Sequence, residues 1–173
     1  LRVATGACNT AFGACALYEN TTATRQVAVG FSALKSTTTG GASVAVGCGA
    51  LCSVTTGSAN TALGREAGLI VTTGSVNTYI GNDIEASSAG VNYEMVIASA
   101  YDTVGKGAST GFINPNGGGV YQGNNSSSWS TTSDRRIKKN ITDNTIGLDK
   151  INQIQVRKFE YRTPEEITEL PKH

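Results

Sequence analysis

The stretches NTAFGACAL (9–17), QVAVGFSAL (26–34), SVAVGCGAL (43–51), NTALGREAG (60–68) and NTYIGNDIE (77–85) are one motif written five times. Their anchor glycines, Gly13, Gly30, Gly47, Gly64 and Gly81, keep a 17-residue period without slippage. Ala11, Ala28, Ala45 and Ala62 lie two residues before the glycine, and Tyr79 breaks that column. Phe12, Val29, Val46, Leu63 and Ile80 lie one before; Ala16, Ala33, Ala50 and Ala67 lie three after. Between anchors run the pairs Thr21–Thr22, Thr38–Thr39, Thr55–Thr56 and Thr72–Thr73, the last three followed by Gly40, Gly57 and Gly74.

Each unit therefore holds a short alternating strand, a glycine turn, a second apolar patch and a threonine turn. A unit so short buries no face alone, so it must stack on its neighbours. The expected fold is mainly β: a parallel β-solenoid or β-roll, its coils about 4.8 Å apart. The interior is written in alanine and valine, which makes a thin rod with little core. A thin rod with open strand edges gains from association with other chains. Adjacent threonines read as turn residues rather than as a flat ice-binding ladder, because neighbours on a strand point to opposite faces.

The motif resembles the N-T-A-x-G-x-x-A-L repeats of phage tail-fibre proteins and, more distantly, the head repeats of trimeric autotransporter adhesins. The resemblance covers residues 6–85 and implies an architecture and a homotrimer, not a ligand. Three regions are expected: solenoid repeats over 1–85, a Gly/Ser/Asn-rich interchain β or linker segment over 86–132, and a distinct segment over 133–173. Within the middle region the repeat period fades. NYEMVIASA (92–100) reads as a strand, and Phe112, Tyr121 and Trp129 are costly to leave in water. The triple glycine at 117–119 follows no strand–helix context and does not read as a phosphate loop.

Charge divides the chain sharply. Of its 27 Asp, Glu, Lys and Arg residues, 11 lie in residues 1–133 and 16 in residues 134–173. The net charge of +1 gives no whole-chain case for nucleic-acid or membrane partners. No apolar run approaches the roughly 20 residues of a membrane span. Cys8, Cys15, Cys48 and Cys52 form no CxxC and have no histidine near, so neither a metal nor a cofactor is expected; they read as small buried apolar residues or free thiols.

The change of regime falls on Ser133-Asp134-Arg135-Arg136-Ile137-Lys138-Lys139-Asn140-Ile141. These residues fit S-D-x-R-x-K-x-N-I and resemble the start of the intramolecular chaperone of endosialidase-type tail spikes and other phage fibres. IGLDKINQIQVRKFEYR (146–162) continues the likeness, as a short helix leading into a strand. The resemblance implies a short α+β segment that trimerises, assists folding of the upstream fibre and cuts itself off. It also implies a serine–lysine dyad of Ser133 and Lys138, a cut at Ser133–Asp134, and motif roles for Arg136, Asn140 and Ile141. The family's domain is longer than this segment, so the chain, which begins at Leu1 and ends at His173, is expected to be a piece of a longer protein. From the residues alone, a base at Lys138 needs a lowered pKa, for which Arg135, Arg136 and Lys139 supply positive neighbours. His173, far along the chain from Ser133, makes a poor partner for it.

The function expected is structural: a virion tail fibre or spike, homotrimeric, joined to other tail proteins and in some cases to a host-surface receptor. The alternative is an adhesin rod that binds a surface glycan or protein without processing. Basic residues in RRIKK are offset by Asp134, Asp143 and Asp149 and lack a stacking platform, which argues against nucleic acid. A depolymerase needs a positioned carboxylate pair, and Glu19, Glu66, Asp83 and Glu85 are not expected to share a repeat column.

Overall fold

The computed structural model describes residues 5–116, 118–123 and 127–131. The chain divides into two compact units, Leu1–Ser133 and Asp134–His173. The first unit is a β-solenoid of about six turns, mainly β, with no helix among the described residues.

One three-residue strand per turn builds the main sheet: β1 Thr10–Phe12, β2 Val27–Val29, β3 Val44–Val46, β4 Thr61–Leu63 and β5 Thr78–Ile80. Each pairs in parallel with its counterpart one period on, as in Ala28↔Ala45 and Ala45↔Ala62. A short β6, Ile84–Glu85, forms a side ladder with β8, Thr103–Val104. The main sheet continues through β7, Met95–Ala98, and β9, Gly111–Asn114, both parallel. It then turns antiparallel through β10, Val120–Gln122, and β11, Ser130–Thr131.

The stacking thus outruns the visible motif. Thr78↔Met95 keeps the full period, and only the next step, Met95↔Gly111, is one residue shorter. In the segment expected as interchain β-structure or linker, the strands pair with the chain's own sheet. The glycine run at 117–119 falls between β9 and β10, where buried Gly119 leaves room for the Phe112 ring; a Cβ there would lie 2.4 Å from Phe112 Cε2.

The interior follows the alternation. Ala28, Ala45, Ala62, Tyr79, Val96 and Phe112 point inward and are buried, as are Leu17, Leu34 and Leu51 from the opposite wall. Ile84, Ala98 and Thr103 are buried as well, and in β2 to β5 the residues flanking the inward one face out. The anchor glycines adopt φ values from 128 to 138°, a region closed to side chains. They also stack backbone on backbone: a Cβ on Gly47 would sit 2.2 Å from the Gly64 carbonyl oxygen. The first threonine of each pair donates its hydroxyl to the next coil, Thr38 to Thr55 O at 3.1 Å and Thr55 to Thr72 O at 3.2 Å. The second, Thr22, Thr39, Thr56 or Thr73, is exposed. Cys8, Cys15 and Cys48 are free and exposed and Cys52 is half-buried, so they are surface thiols rather than core residues. The corner positions they occupy point away from the tube.

Two glycine substitutions separate close stacking from backbone strain. Gly107 has φ 115°, and a Cβ built on it would meet nothing within 4 Å, so Gly107→Ala should cost about 1–3 kcal/mol of strain alone. Gly47→Ala meets the same kind of strain and the Gly64 carbonyl as well, and Gly47→Val more so. Its loss in denaturant unfolding should clearly exceed that of Gly107→Ala. Equal losses would show that the coil spacing yields easily.

Candidate assembly and processing site

Every coil opens on a polar residue that points inward: Asn9, Gln26, Ser43, Asn60, Asn77 and Glu94. From Gln26 onward all are buried. As far as Asn77, each accepts the backbone N–H of its counterpart one coil on. Asn9 Oδ1 accepts from Gln26 at 2.9 Å, Gln26 Oε1 from Ser43 at 3.0 Å, and Ser43 Oγ from Asn60 at 3.1 Å. Asn60 Oδ1 accepts from Asn77 at 3.0 Å and Asn77 Oδ1 from Glu94 at 2.8 Å. The amide nitrogens donate to the adjacent turn that closes the same coil: Gln26 to Gly40 O at 2.6 Å, Asn60 to Gly74 O at 2.8 Å, Asn77 to Val91 O at 2.7 Å. An amide suits this position because one short side chain both accepts and donates.

At Glu94 the ladder changes chemistry. A carboxylate accepts only, and three donors converge on it. Tyr79 donates its hydroxyl at 3.0 Å, Ser87 its N–H at 3.1 Å, and Gly107 its N–H at 2.8 Å. Burial, with the Glu94 carboxylate and its hydrogen bond adding, raises the Tyr79 hydroxyl well above its ordinary pKa. The ring occupies space that a leucine would fill: Gly68 stands where Leu17, Leu34 and Leu51 stand in earlier coils, and a Cβ on it would lie 2.8 Å from Tyr79 Cδ2. Leucine lost at 68, alanine replaced at 79 and amide replaced at 94 form one exchange. The break at Tyr79 was visible in the sequence. Glu94 was not, because the surrounding motif had faded.

On the outside, Arg65 gathers the charges. It donates to Glu66 at 2.9 Å, to Asn82 Oδ1 at 3.1 Å and to Asp83. Contrary to expectation, Glu66 and Asp83 do share a column, one period apart. Arg65 lies between them, so the two carboxylates are tied to one guanidinium instead of facing each other across a cleft. Glu85 and Asp102 line the same shallow groove.

The processing residues inferred from sequence, Ser133, Asp134, Arg136, Lys138, Asn140 and Ile141, lie outside the described residues. What is described is their approach: the sheet's last strand, β11, ends at Thr131, paired to β10 through Val120↔Thr131. The division between the two compact units falls between Ser133 and Asp134.

Comparison with known proteins matches residues 133–173 to the family described as the chaperone of endosialidase. No curated protein and no solved structure matched the chain. The C-terminal segment is thus similar to an intramolecular chaperone, and it follows a β-solenoid.

The Tyr79–Glu94 contact has a pH signature. Because folding raises the tyrosine's pKa, the folded state keeps a proton that the unfolded chain releases. Stability from this group is complete below the ordinary tyrosine pKa of about 10 and falls as pH rises above it. Alkaline titration by tyrosinate absorbance should show one tyrosine that ionises only as the protein unfolds. Tyr79→Phe should abolish that step and cost about 1–3 kcal/mol at neutral pH through the lost donor to Glu94. A variant that keeps the late-ionising tyrosine would refute the assignment.

Proposed function

We propose that this chain is the shaft and chaperone junction of a homotrimeric viral tail fibre or spike, in which the segment from Ser133 assists assembly and is then released by self-cleavage. The observation that carries the reading is the order of parts: a β-sheet begun by the solenoid coils runs to Thr131, and a match to the endosialidase chaperone begins at residue 133. A tail-fibre setting, three chains and contact with other tail proteins follow from that likeness.

In this reading Ser133 is the nucleophile and Lys138 the base. The neutral lysine amine takes the proton of the serine hydroxyl as its oxygen adds to the scissile carbonyl carbon; the C–N bond to Asp134 breaks, the Asp134 amine leaves with that proton, and water hydrolyses the ester to a free carboxylate and serine. Arg136, Asn140 and Ile141 belong to the motif that positions the pair. The coincidence of the proposed cut with the boundary between compact units supports it: a cut there leaves the sheet entire and removes most of the charge. A receptor-binding rod is the second reading, favoured by the aromatic and polar groove of about 350 Å³ lined by Phe31, Lys35, Cys48 and Glu66.

The test places this chain in frame with a complete domain of the matched family and follows intact mass. Wild type should be cut after Ser133, and Ser133→Ala should stay whole. Lys138→Arg keeps the charge but not the base, since guanidinium remains protonated, so it should also stay whole. Cleavage of Lys138→Arg at the wild-type rate would remove the dyad. Light scattering on the assembled protein should give the mass of three chains.

A further inference from the structure

The inner wall of the solenoid sheet is covered by the coils themselves, but its outer wall is bare. Phe12, Val29, Val46, Leu63, Ile80, Ile97 and Ile113 form one outward column across seven parallel strands. Phe12 is 75% exposed and Leu63 50%, and the other five are half-buried by their neighbours in the column. The neighbouring column mixes Val27, Val44 and Met95 with Thr10, Thr61, Thr78 and Gly111. Parallel sheets are ordinarily covered on both faces. No Asp, Glu, Lys or Arg occurs in any of these strands; the charged groove around Arg65 and the exposed threonines lie on the other sides of the coil.

We propose that this outer wall is the surface on which copies of the chain associate, side by side and level with level, about an axis parallel to the stack. The inference rests on the trimeric reading above and adds the surface and the register. The occupant is a second copy for three reasons. The wall is uncharged and one of its two columns is apolar throughout, so it fits a surface that is also uncharged. Its side chains repeat at the coil spacing of about 4.8 Å over about 29 Å, a pitch that an unrelated globular surface does not match and another copy matches at every level. At its C-terminal end it opens into an apolar recess of about 290 Å³ between Ile80, Ile97, Ile113 and Pro115, which receives side chains from a neighbour at the same height. Rotation about an axis along the stack leaves height unchanged, so Val29 meets Val29 and Ile97 meets Ile97. The wall, roughly 29 by 10 Å, is in the range of the largest apolar patches of monomers. Its burial gains about as much as association costs. It therefore selects which faces meet, while a trimerising segment supplies the local concentration.

The experiment uses the full chain with Cys8, Cys15, Cys48 and Cys52 changed to serine and single cysteines at Val29, Ile97 or Thr56. Oxidation with copper phenanthroline should link V29C to V29C and I97C to I97C at least tenfold more than T56C to T56C, which sits in the exposed threonine column. In a mixture of differently tagged V29C and I97C chains, homotypic links should exceed V29C–I97C links. Leu63→Glu added to the V29C chain should lower V29C–V29C linking at least tenfold while the far-ultraviolet spectrum stays that of the parent. An oligomer linked through T56C, or through V29C–I97C pairs, would overturn the surface or the register while leaving the trimeric reading intact. A monomer in light scattering without any substitution would overturn both.

Discussion

The structure depends on a buried hydrogen bond made once per turn, from the side chain that opens one coil to the backbone of the next. An apolar tube this narrow has little hydrophobic energy to draw on, since half of its buried apolar residues are alanine. Its interior also contains backbone that must find partners without water. The Asn60–Asn77 step solves both problems. Asn60 Nδ2 closes its own coil on Gly74, and Asn60 Oδ1 fixes the amide of Asn77 above it. Closure and spacing are set by the same group, so a coil shaped for this ladder is also shaped for its neighbour.

That coupling explains how the corners are tolerated. Each coil turns through residues with left-handed backbone that are not glycine, such as Leu34, Ala42, Leu51 and Ala59, with φ between 48 and 57°. Val76, β-branched, adopts φ 60°. Each such residue costs on the order of 1–2 kcal/mol alone. A lone coil would carry that strain with one side chain to hold it. A stacked coil has a ladder bond at nearly every corner: Ala42 donates to Thr24 O at 2.9 Å and Ala59 to Gly41 O at 2.8 Å. The strain is over-determined by the stack, and the stack is therefore cooperative along its length rather than within a turn.

How much was legible in the sequence follows from the same physics. The period, the parallel stacking and the inward alanines could be read because the glycine column, with its positive φ, prints itself in five successive coils. The strand at Met95–Ala98 was legible in NYEMVIASA, but its stacking on the coils and that of Gly111–Asn114 were not, because Ala98 stands where the glycine would, once larger inward residues, Val96 and Phe112, fill the tube. The ladder hid for another reason. Asn, Gln, Ser and Glu do not look like one column until their shared partner, the next coil's N–H, is seen. The shared column of Glu66 and Asp83 needed only counting, but its meaning needed Arg65 between them. Of the two readings of the cysteines, the free thiol holds and the buried apolar residue does not, because here cysteine falls at outward corners.

A shaft with an accurate internal period carries a hazard that its own contacts do not remove. Within a chain, register is fixed because consecutive coils are covalently joined. Between chains associated as proposed, a slip by one whole coil would set almost the same surface against its partner: Val29 against Val46 instead of Val29 against Val29. The apolar outer wall penalises that slip weakly, through Phe12 and Leu63 at its end and middle. The distinctive levels lie toward the C-terminal side, where Tyr79, Glu94 and the shortened step from Met95 to Gly111 break the repetition. If the chains assemble as proposed, alignment is safest when it begins there and proceeds toward the uniform repeats. A chaperone joined directly after β11 would impose that order by holding the chain ends level before the coils meet. Once the coils have closed, the information it supplied is stored in the stack, and a segment needed only to start the register can be cut away without loss of the structure it set.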